Sequence, residues 1–317
     1  MHTTMPATAA ESTTSAPSPL RGIAAIRMAA MDIKLSHTVF ALPFAVLGAF
    51  LARDPQTPWS RFGVQLLLIL VCMVFGRTWA MLVNRIADQH IDASNPRTAR
   101  RAFAAGKLSN TFGAAALGVC ALGFVAGASG FWFHTQNPWP LILSLPVLAY
   151  LGGYSFTKRF TWLCHLYLGV ALSISPVAAA LAINPSSLSA TPAIWWLMAM
   201  IAPWVAGFDI IYALQDVEID RAAGLWSVPS RLGVTRAIWI SRLLHIAAFA
   251  SLAAGLRSEP RFGPLFGAAV ALVGLLLITE HAVLARRGKA GLEMAFFTLN
   301  GIVSCVLGIA GCTDLFL

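Results

Sequence analysis

Five side chains with oxygen donors fall into two short, similarly spaced groups. Asn84, Asp88 and Asp92 stand four residues apart in Asn84-Arg85-Ile86-Ala87-Asp88-Gln89-His90-Ile91-Asp92, and Asp216 and Asp220 repeat the interval about 120 residues later. On a helix such positions share one face. Like charges at that spacing repel and weaken a bare helix, so two such groups call for cations between them. Carboxylates on facing helices, with the remaining positions left to water, suit Mg²⁺ better than a softer metal. Because Mg²⁺ is usually held by one or two carboxylates together with substrate phosphates, the expected third party is a phosphate ester.

Basic residues near these groups fit such a partner. Arg77 precedes Asn84 by seven residues, as Asp209 precedes Asp216, so each lies two turns deeper on its motif's face. Arg97, Arg100, Arg101 and Lys158 add charge in the adjoining loops, arginine being the better fork for phosphate oxygens. An ionisable residue inside a membrane span is a functional candidate by default, which singles out Arg77 and Asp209. Each group alone reads equally well as a solvated charge cluster; together, each with a deeper charge behind it, they read as one site.

The elements that must position these residues are apolar. The chain has 317 residues, 58% hydrophobic and 11% charged, with mean hydropathy +0.73. A soluble domain carries about a quarter charged residues, and several runs here exceed the ~18 residues that cross a bilayer. The fold class expected is all-α and integral to the membrane: nine transmembrane helices around a central cavity, near residues 35–52, 62–86, 110–131, 139–156, 161–183, 192–215, 236–256, 262–285 and 292–313. Pro43 is expected to kink the first. Residues 1–20 read as a disordered tail, not a signal peptide, and 21–317 as a single domain.

The net charge of +9 does not indicate nucleic acid, since all Lys and Arg but Arg77 and Arg242 lie in or beside inter-helix loops. Alternate loops hold sixteen of them against four (Arg53, Arg61, Arg257, Arg261) on the other side. By the positive-inside bias this places the N-terminus and both Asp motifs in the cytoplasm, the bacterial inner membrane being the one expected. The five cysteines form no metal or disulfide pattern, and Gly106-Lys107 lacks the P-loop frame. Glu218 reads as solvated, Glu280 and His281 as an interfacial pair, and Arg242 and His245 as snorkelling or packed residues. Lys34 and His37 face one way in the first span, and Lys34 is a candidate for closing the site.

A metal-dependent head group beneath a hydrophobic bundle implies a phosphate ester with an apolar tail, and a polyprenyl diphosphate meets each condition. Loss of its diphosphate generates an allylic cation, the step for which Mg²⁺ and Arg supply charge stabilisation, and an aromatic ring would serve as nucleophile. A secondary transporter or channel is the competing class, with Arg77 and Asp209 on an ion path. The acids cluster at one surface instead, which favours chemistry on a head group.

The same residues carry a resemblance. The first motif with Asn95-Pro96-Arg97-Thr98-Ala99-Arg100-Arg101 and Gly106-Lys107-Leu108-Ser109, the second from Asp209 through Asp216 and Asp220 to Gly233, and Tyr154-Ser155-Phe156-Thr157-Lys158 resemble the UbiA superfamily of intramembrane prenyltransferases. The likeness extends over nearly the whole chain after residue 30. It implies that Asn84, Asp88 and Asp92 hold one Mg²⁺ and Asp216 and Asp220 a second, both bridging to diphosphate. It further implies that Arg77 and Lys158 contact phosphate beside Tyr154, and that Asp209 stabilises the cation or orients the acceptor. The motifs are most like those of 4-hydroxybenzoate polyprenyltransferases, then of menaquinone-pathway relatives acting on dihydroxynaphthoate. One position departs: many members carry Asp where this chain has Arg85. Expected partners are thus a polyprenyl diphosphate, an aromatic acid and membrane lipid.

Overall fold

Helices account for nearly all regular structure in the computed structural model, which describes residues 19–33, 40–292 and 294–317. In chain order they are α1 (Gly22–Asp32), α2 (Leu42–Leu51), α3 (Trp59–Ala87), α4 (Gln89–Ser94), α5 (Asn110–Thr135), α6 (Trp139–Thr157), α7 (Cys164–Ile183), α8 (Ser187–Ala190), α9 (Pro192–Ala213), α10 (Val217–Ala222), α11 (Val228–Leu232), α12 (Val234–Ser258), α13 (Pro264–Arg287) and α14 (Asn300–Phe316). A π-helical turn, Met294–Leu299, leads into the last. Most of the expected tail, and both Lys34 and His37, lie outside the described residues.

Eight helices are long and apolar enough to cross a membrane: α3, α5, α6, α7, α9, α12, α13 and the segment Phe297–Phe316. The protein is a multi-pass integral membrane protein. The ninth expected span, 35–52, is described from Phe40 onward and forms only the ten-residue α2. At 1.5 Å per residue that is about half of a ~30 Å hydrocarbon core. Pro43 does not kink this helix. It occupies the first turn, where its missing N–H would have no partner anyway and its fixed φ suits helix entry.

The bundle is built around α9, whose inward residues Met200, Ile201, Trp204 and Val205 are fully buried against α2, α7, α12, α13 and α14. Small residues let these helices approach closely, as lipid-embedded packing requires. A Cβ on Gly169 of α7 would lie 2.1 Å from the Ala202 carbonyl oxygen of α9, and one on Gly48 of α2 would lie 2.3 Å from that of Pro176. A second cluster packs α1 and the 102–108 loop against α3 and α5.

Local signals set the ends near the motifs. Ser109 caps α5 by accepting from the Phe112 N–H. Ser227 and Ser230 form a reciprocal capping box at α11. Gly224 turns the chain after α10 at φ +67°, a conformation that suits glycine.

Beneath the motif end lies a cavity of ≈ 310 Å³, walled by α2, α3, α5, α6 and α7. Its lining is almost wholly apolar, from Phe131, Pro140 and Ala182 at one end to Arg77 and Tyr154 at the other.

Candidate active site

The two Asp motifs have the same backbone architecture. At Asp88 the long helix α3 stops and the six-residue α4 starts, with φ −97° and ψ 3°. Asp216, with φ −109° and ψ 8°, starts the six-residue α10 just after α9. Both occupy the sparsely populated bridge region, frequent at active-site residues. Through Asp88 the i→i−4 bonds continue, its N–H reaching the Asn84 carbonyl at 3.0 Å and that of Asp92 the Asp88 carbonyl at 2.8 Å. Before Asp216 the chain tightens to i→i−3 bonds from Leu214, Gln215 and Asp216, and i→i−4 bonding resumes with Asp220 on Asp216 at 2.7 Å. The stacking expected from the spacing therefore survives the breaks.

The motifs meet directly. Asn95 Nδ2 donates to Asp216 Oδ1 at 3.1 Å, and Arg97 donates from Nε and Nη2 to the same carboxylate while its Nη1 reaches Tyr212 Oη at 2.9 Å. The loop following the first motif thus closes over the second.

Each acid has a partner within the protein. Lys158 Nζ lies 2.6 Å from Asp88 Oδ2 and Arg159 Nη2 lies 3.2 Å from Oδ1. Arg101 Nη1 lies 2.8 Å from Asp92 Oδ1. Asp220 accepts from the Ser227 hydroxyl at 2.8 Å. Burial, then the neighbouring Asp216 charge, pushes the Asp220 carboxyl above its ordinary range against the opposing Ser227 bond and the Lys158 charge. Among the described residues no three acidic, His or Cys side chains converge as a ready metal cluster; cations relieve the repulsion between the carboxylates instead. The donor set still fits Mg²⁺, being composed of hard oxygens with four carboxylates. A Mg²⁺ ion held by these carboxylates would take oxygens to which Lys158, Arg159, Arg101 and Arg97 are now bonded.

Arg85 is buried, 3.4 Å from Asp32 of α1, and donates to Asn84 Oδ1 at 2.9 Å. Asn84 Nδ2 in turn donates to Asp88 at 2.9 Å. Asp32 also accepts from the Ala102 N–H at 3.1 Å. The departing residue of the motif therefore ties α1 to the site. Arg77, by contrast, has no ion-pair partner among the described residues and lines the cavity mouth with Tyr154.

Sequence reasoning missed His165. Its Nδ1 stands 2.6 Å from Asp209 Oδ2, and its Nε2 accepts from the Val228 N–H at 3.2 Å. Only its position at the start of a span, with an intramembrane acid elsewhere in the chain, could have drawn attention to it. Glu280 is a correction. It is 1% exposed, accepts from Asn300 Nδ2 at 3.2 Å and lies 3.8 Å from His245, which contacts His281 at 3.1 Å. This is a buried network rather than an interfacial pair, because α12 and α14 cover that face of α13. Glu218 is exposed, as expected.

Known proteins match this arrangement. The sequence pattern of the UbiA prenyltransferase family covers residues 41–302, from α2 into α14. The chain belongs to the UbiA prenyltransferase family. Among its relatives, the 4-hydroxybenzoate octaprenyltransferase of Pseudoalteromonas atlantica is 28% identical over 263 residues, 82% of this chain and 87% of the relative. That of Vibrio cholerae is 31% identical over 195 residues, 60% and 64% of the two chains. The apo UbiA homologue of Aeropyrum pernix superposes with a TM-score of 0.78 at 33% identity, over 89% of this chain and 98% of that one. A UbiA homologue from Archaeoglobus fulgidus, bound to GPP and Mg²⁺, shares the fold at TM-score 0.67 and 16% identity, over 92% and 100%. This UbiA-family protein is thus placed among prenyltransferases, and the transporter reading falls away.

Proposed function

We propose that this UbiA-family protein transfers a polyprenyl group from polyprenyl diphosphate to 4-hydroxybenzoate, making a quinone precursor at the cytoplasmic face of the bacterial inner membrane. The observation that carries the reading is the joining of two matched Asp helix breaks directly over an apolar cavity whose mouth holds Arg77 and Tyr154. The relatives' names support 4-hydroxybenzoate as acceptor and an octaprenyl chain as the first donor to assay. The loop-charge asymmetry supports the orientation.

Asn84, Asp88 and Asp92 would hold one Mg²⁺ and Asp216 and Asp220 a second. Bound there with diphosphate, Mg²⁺ supplies the charge neutralisation that makes diphosphate a leaving group. Lys158 and Arg97, released from Asp88 and Asp216, turn to phosphate oxygens, and Arg77 meets the head group from the cavity side. The tail lies along the apolar cavity. Rupture of the allylic C–O bond leaves the electron pair on diphosphate. Asp209 and Tyr154 face the positive charge left on carbon, a ring carbon of the acceptor bonds to it, and the ring proton at that carbon passes to the released diphosphate, its C–H electron pair restoring aromaticity.

The deciding experiment supplies purified protein in detergent with octaprenyl diphosphate, 4-hydroxybenzoate and either Mg²⁺ or EDTA, with products read by mass spectrometry. Prenylated 4-hydroxybenzoate formed only with Mg²⁺ is expected. Product with 1,4-dihydroxynaphthoate alone would move the assignment to the menaquinone type, and diphosphate release with neither acceptor would remove both.

A further inference from the structure

His165 is the second residue of α7 and is 4% exposed. Its ring is held from both sides, and one of the two bonds fixes its chemistry. The Val228 backbone N–H can only donate, so Nε2, 3.2 Å away, must present a lone pair. The ring proton then sits on Nδ1 and is donated to Asp209 Oδ2 at 2.6 Å. This makes the contact a hydrogen bond from a neutral imidazole with a defined tautomer.

The surroundings leave this ring little freedom. One turn beyond His165, Gly169 packs against the Ala202 backbone so tightly that a Cβ would stand 2.1 Å from its carbonyl oxygen. Ala202 lies seven residues before Asp209, so this close approach brings His165 within reach of the acid. On the other side, Cys164 Sγ donates to the Trp226 carbonyl at 3.3 Å, and the Trp226 N–H donates to the Lys158 carbonyl at 2.6 Å. Ser227, between Trp226 and Val228, is the residue that donates to Asp220.

We propose that His165 is a positioning residue with two separable duties. Its Nδ1–H holds the Asp209 carboxylate in one orientation. Its Nε2 lone pair holds the loop that presents Ser227 to Asp220. The consequences for turnover rest on the prenyl-transfer reading, in which Asp209 serves bond rupture and Asp220 the metal–diphosphate head. The hydrogen-bond arrangement itself does not depend on it.

The two halves of the ring can be removed one at a time in the full-length protein. In His165→Asn the amide Nδ2 stands where Nδ1 was and the Val228 acceptor is lost. In His165→Gln the terminal Oε1 takes the place of Nε2 and the Asp209 donor is lost. Since outer-shell partners of such sites are typically worth 10–100-fold, His165→Gln is expected to lower kcat by about 100-fold with the Mg²⁺ requirement unchanged. His165→Asn is expected to keep kcat and raise the Mg²⁺ requirement about 10-fold. Melting temperatures with and without Mg²⁺ and inorganic diphosphate give a readout apart from turnover: the stabilisation should shrink in His165→Asn and persist in His165→Gln. If both variants lose the same parameter to the same degree, the imidazole only fills space and the proposal is wrong. Histidine ¹⁵N NMR of the wild type tests the tautomer whether or not the variants fold: an unprotonated Nε2 supports it, and a proton on Nε2 overturns it. A wild type that makes no prenylated product overturns the prenyl-transfer reading instead, while the melting shifts and the tautomer still decide the role of His165.

Discussion

Asp88 and Asp216 share a backbone conformation and a place at the end of a long helix, yet the protein holds them differently. The Asp88 side chain is 2% exposed and is gripped by Lys158 and Arg159, with Asn84 on the same carboxylate. Its neighbour Asp92 has Arg101. The second motif has one cation, Arg97, borrowed from the loop of the first, and its other acid Asp220 has a neutral hydroxyl as its hydrogen-bond partner. Three cations serve the first pair and one the second. The first motif is therefore a fixed anchor, and the second is the half with negative charge to spare. A divalent cation gains most where carboxylates are least neutralised, so metal should be drawn first to Asp216 and Asp220.

The comparison is broken most directly by removing each leading acid. Asp88→Asn and Asp216→Asn are both expected to lower turnover by about 10²–10³-fold, the usual loss when a preorganised charge is removed. Only Asp88→Asn should also lower the melting temperature clearly, because it leaves Lys158 and Arg159 facing a buried amide. Their partial exposure limits that cost. Equal melting points in the two variants would contradict the anchor reading, and near-wild-type turnover in either would defeat the two-metal assignment.

Arg77 tests the cavity mouth common to both motifs. With no carboxylate to release, Arg77→Ala should raise the apparent KM for the prenyl donor by about 10-fold while the melting temperature holds, as expected when one charge-assisted contact to phosphate is lost. An unchanged donor KM would assign Arg77 to structure.

How much of this was legible in the sequence depends on whether the signal was local. Asp88, Asp92, Asp216 and Asp220 were found from four-residue spacing at the ends of apolar runs, because an i→i−4 bond joins the two acids of each pair. Eight of the nine spans followed from hydropathy; of the ninth, 35–52, the described residues from Phe40 onward hold the ten-residue apolar α2. Pro43 illustrates the limit of a residue rule: the same proline kinks a helix from inside and starts one from its first turn. His165 was missed and Glu280 misread for a common reason. Each lies near the end of a span, which in sequence suggests the interface, and each is buried by a different helix laid across it. Likewise Arg85 looked only like a departure from a motif; its meaning came from Asp32, 53 positions earlier.

The link between Arg85 and Asp32 should be separable from catalysis by the second motif. Their side chains are 8% and 12% exposed, so removing one charge leaves the other buried, at a cost of about 3 kcal/mol. Arg85→Ala is expected to release α1 from the 102–108 loop. Hydrogen exchange would then accelerate across Gly22–Asp32, while the exchange of α10 stays as in the wild type. Unchanged protection of α1 would mean that its apolar packing through Ala25 and Ala29 suffices to hold it.

The smallest effect lies in the pH dependence, and it should come from the second motif. The Asp220 carboxyl is raised by burial and by the Asp216 charge, so protons compete with metal at higher pH than they would at an ordinary aspartate. A metal ligand must be deprotonated. Affinity for Mg²⁺ with inorganic diphosphate should therefore rise with pH through the raised Asp220 pKa and level off above it, with proton release on binding on the acid side. The stability effect has the opposite sign. A carboxyl raised in the folded state destabilises the metal-free fold above its folded pKa, and that penalty disappears below the unfolded pKa. Calorimetric titrations across the weakly acidic range, compared between wild type and Asp220→Asn, would read both. If the pH dependence of Mg²⁺ affinity persists in Asp220→Asn but vanishes in Asp92→Asn, the first motif carries the spare charge and the asymmetry is reversed.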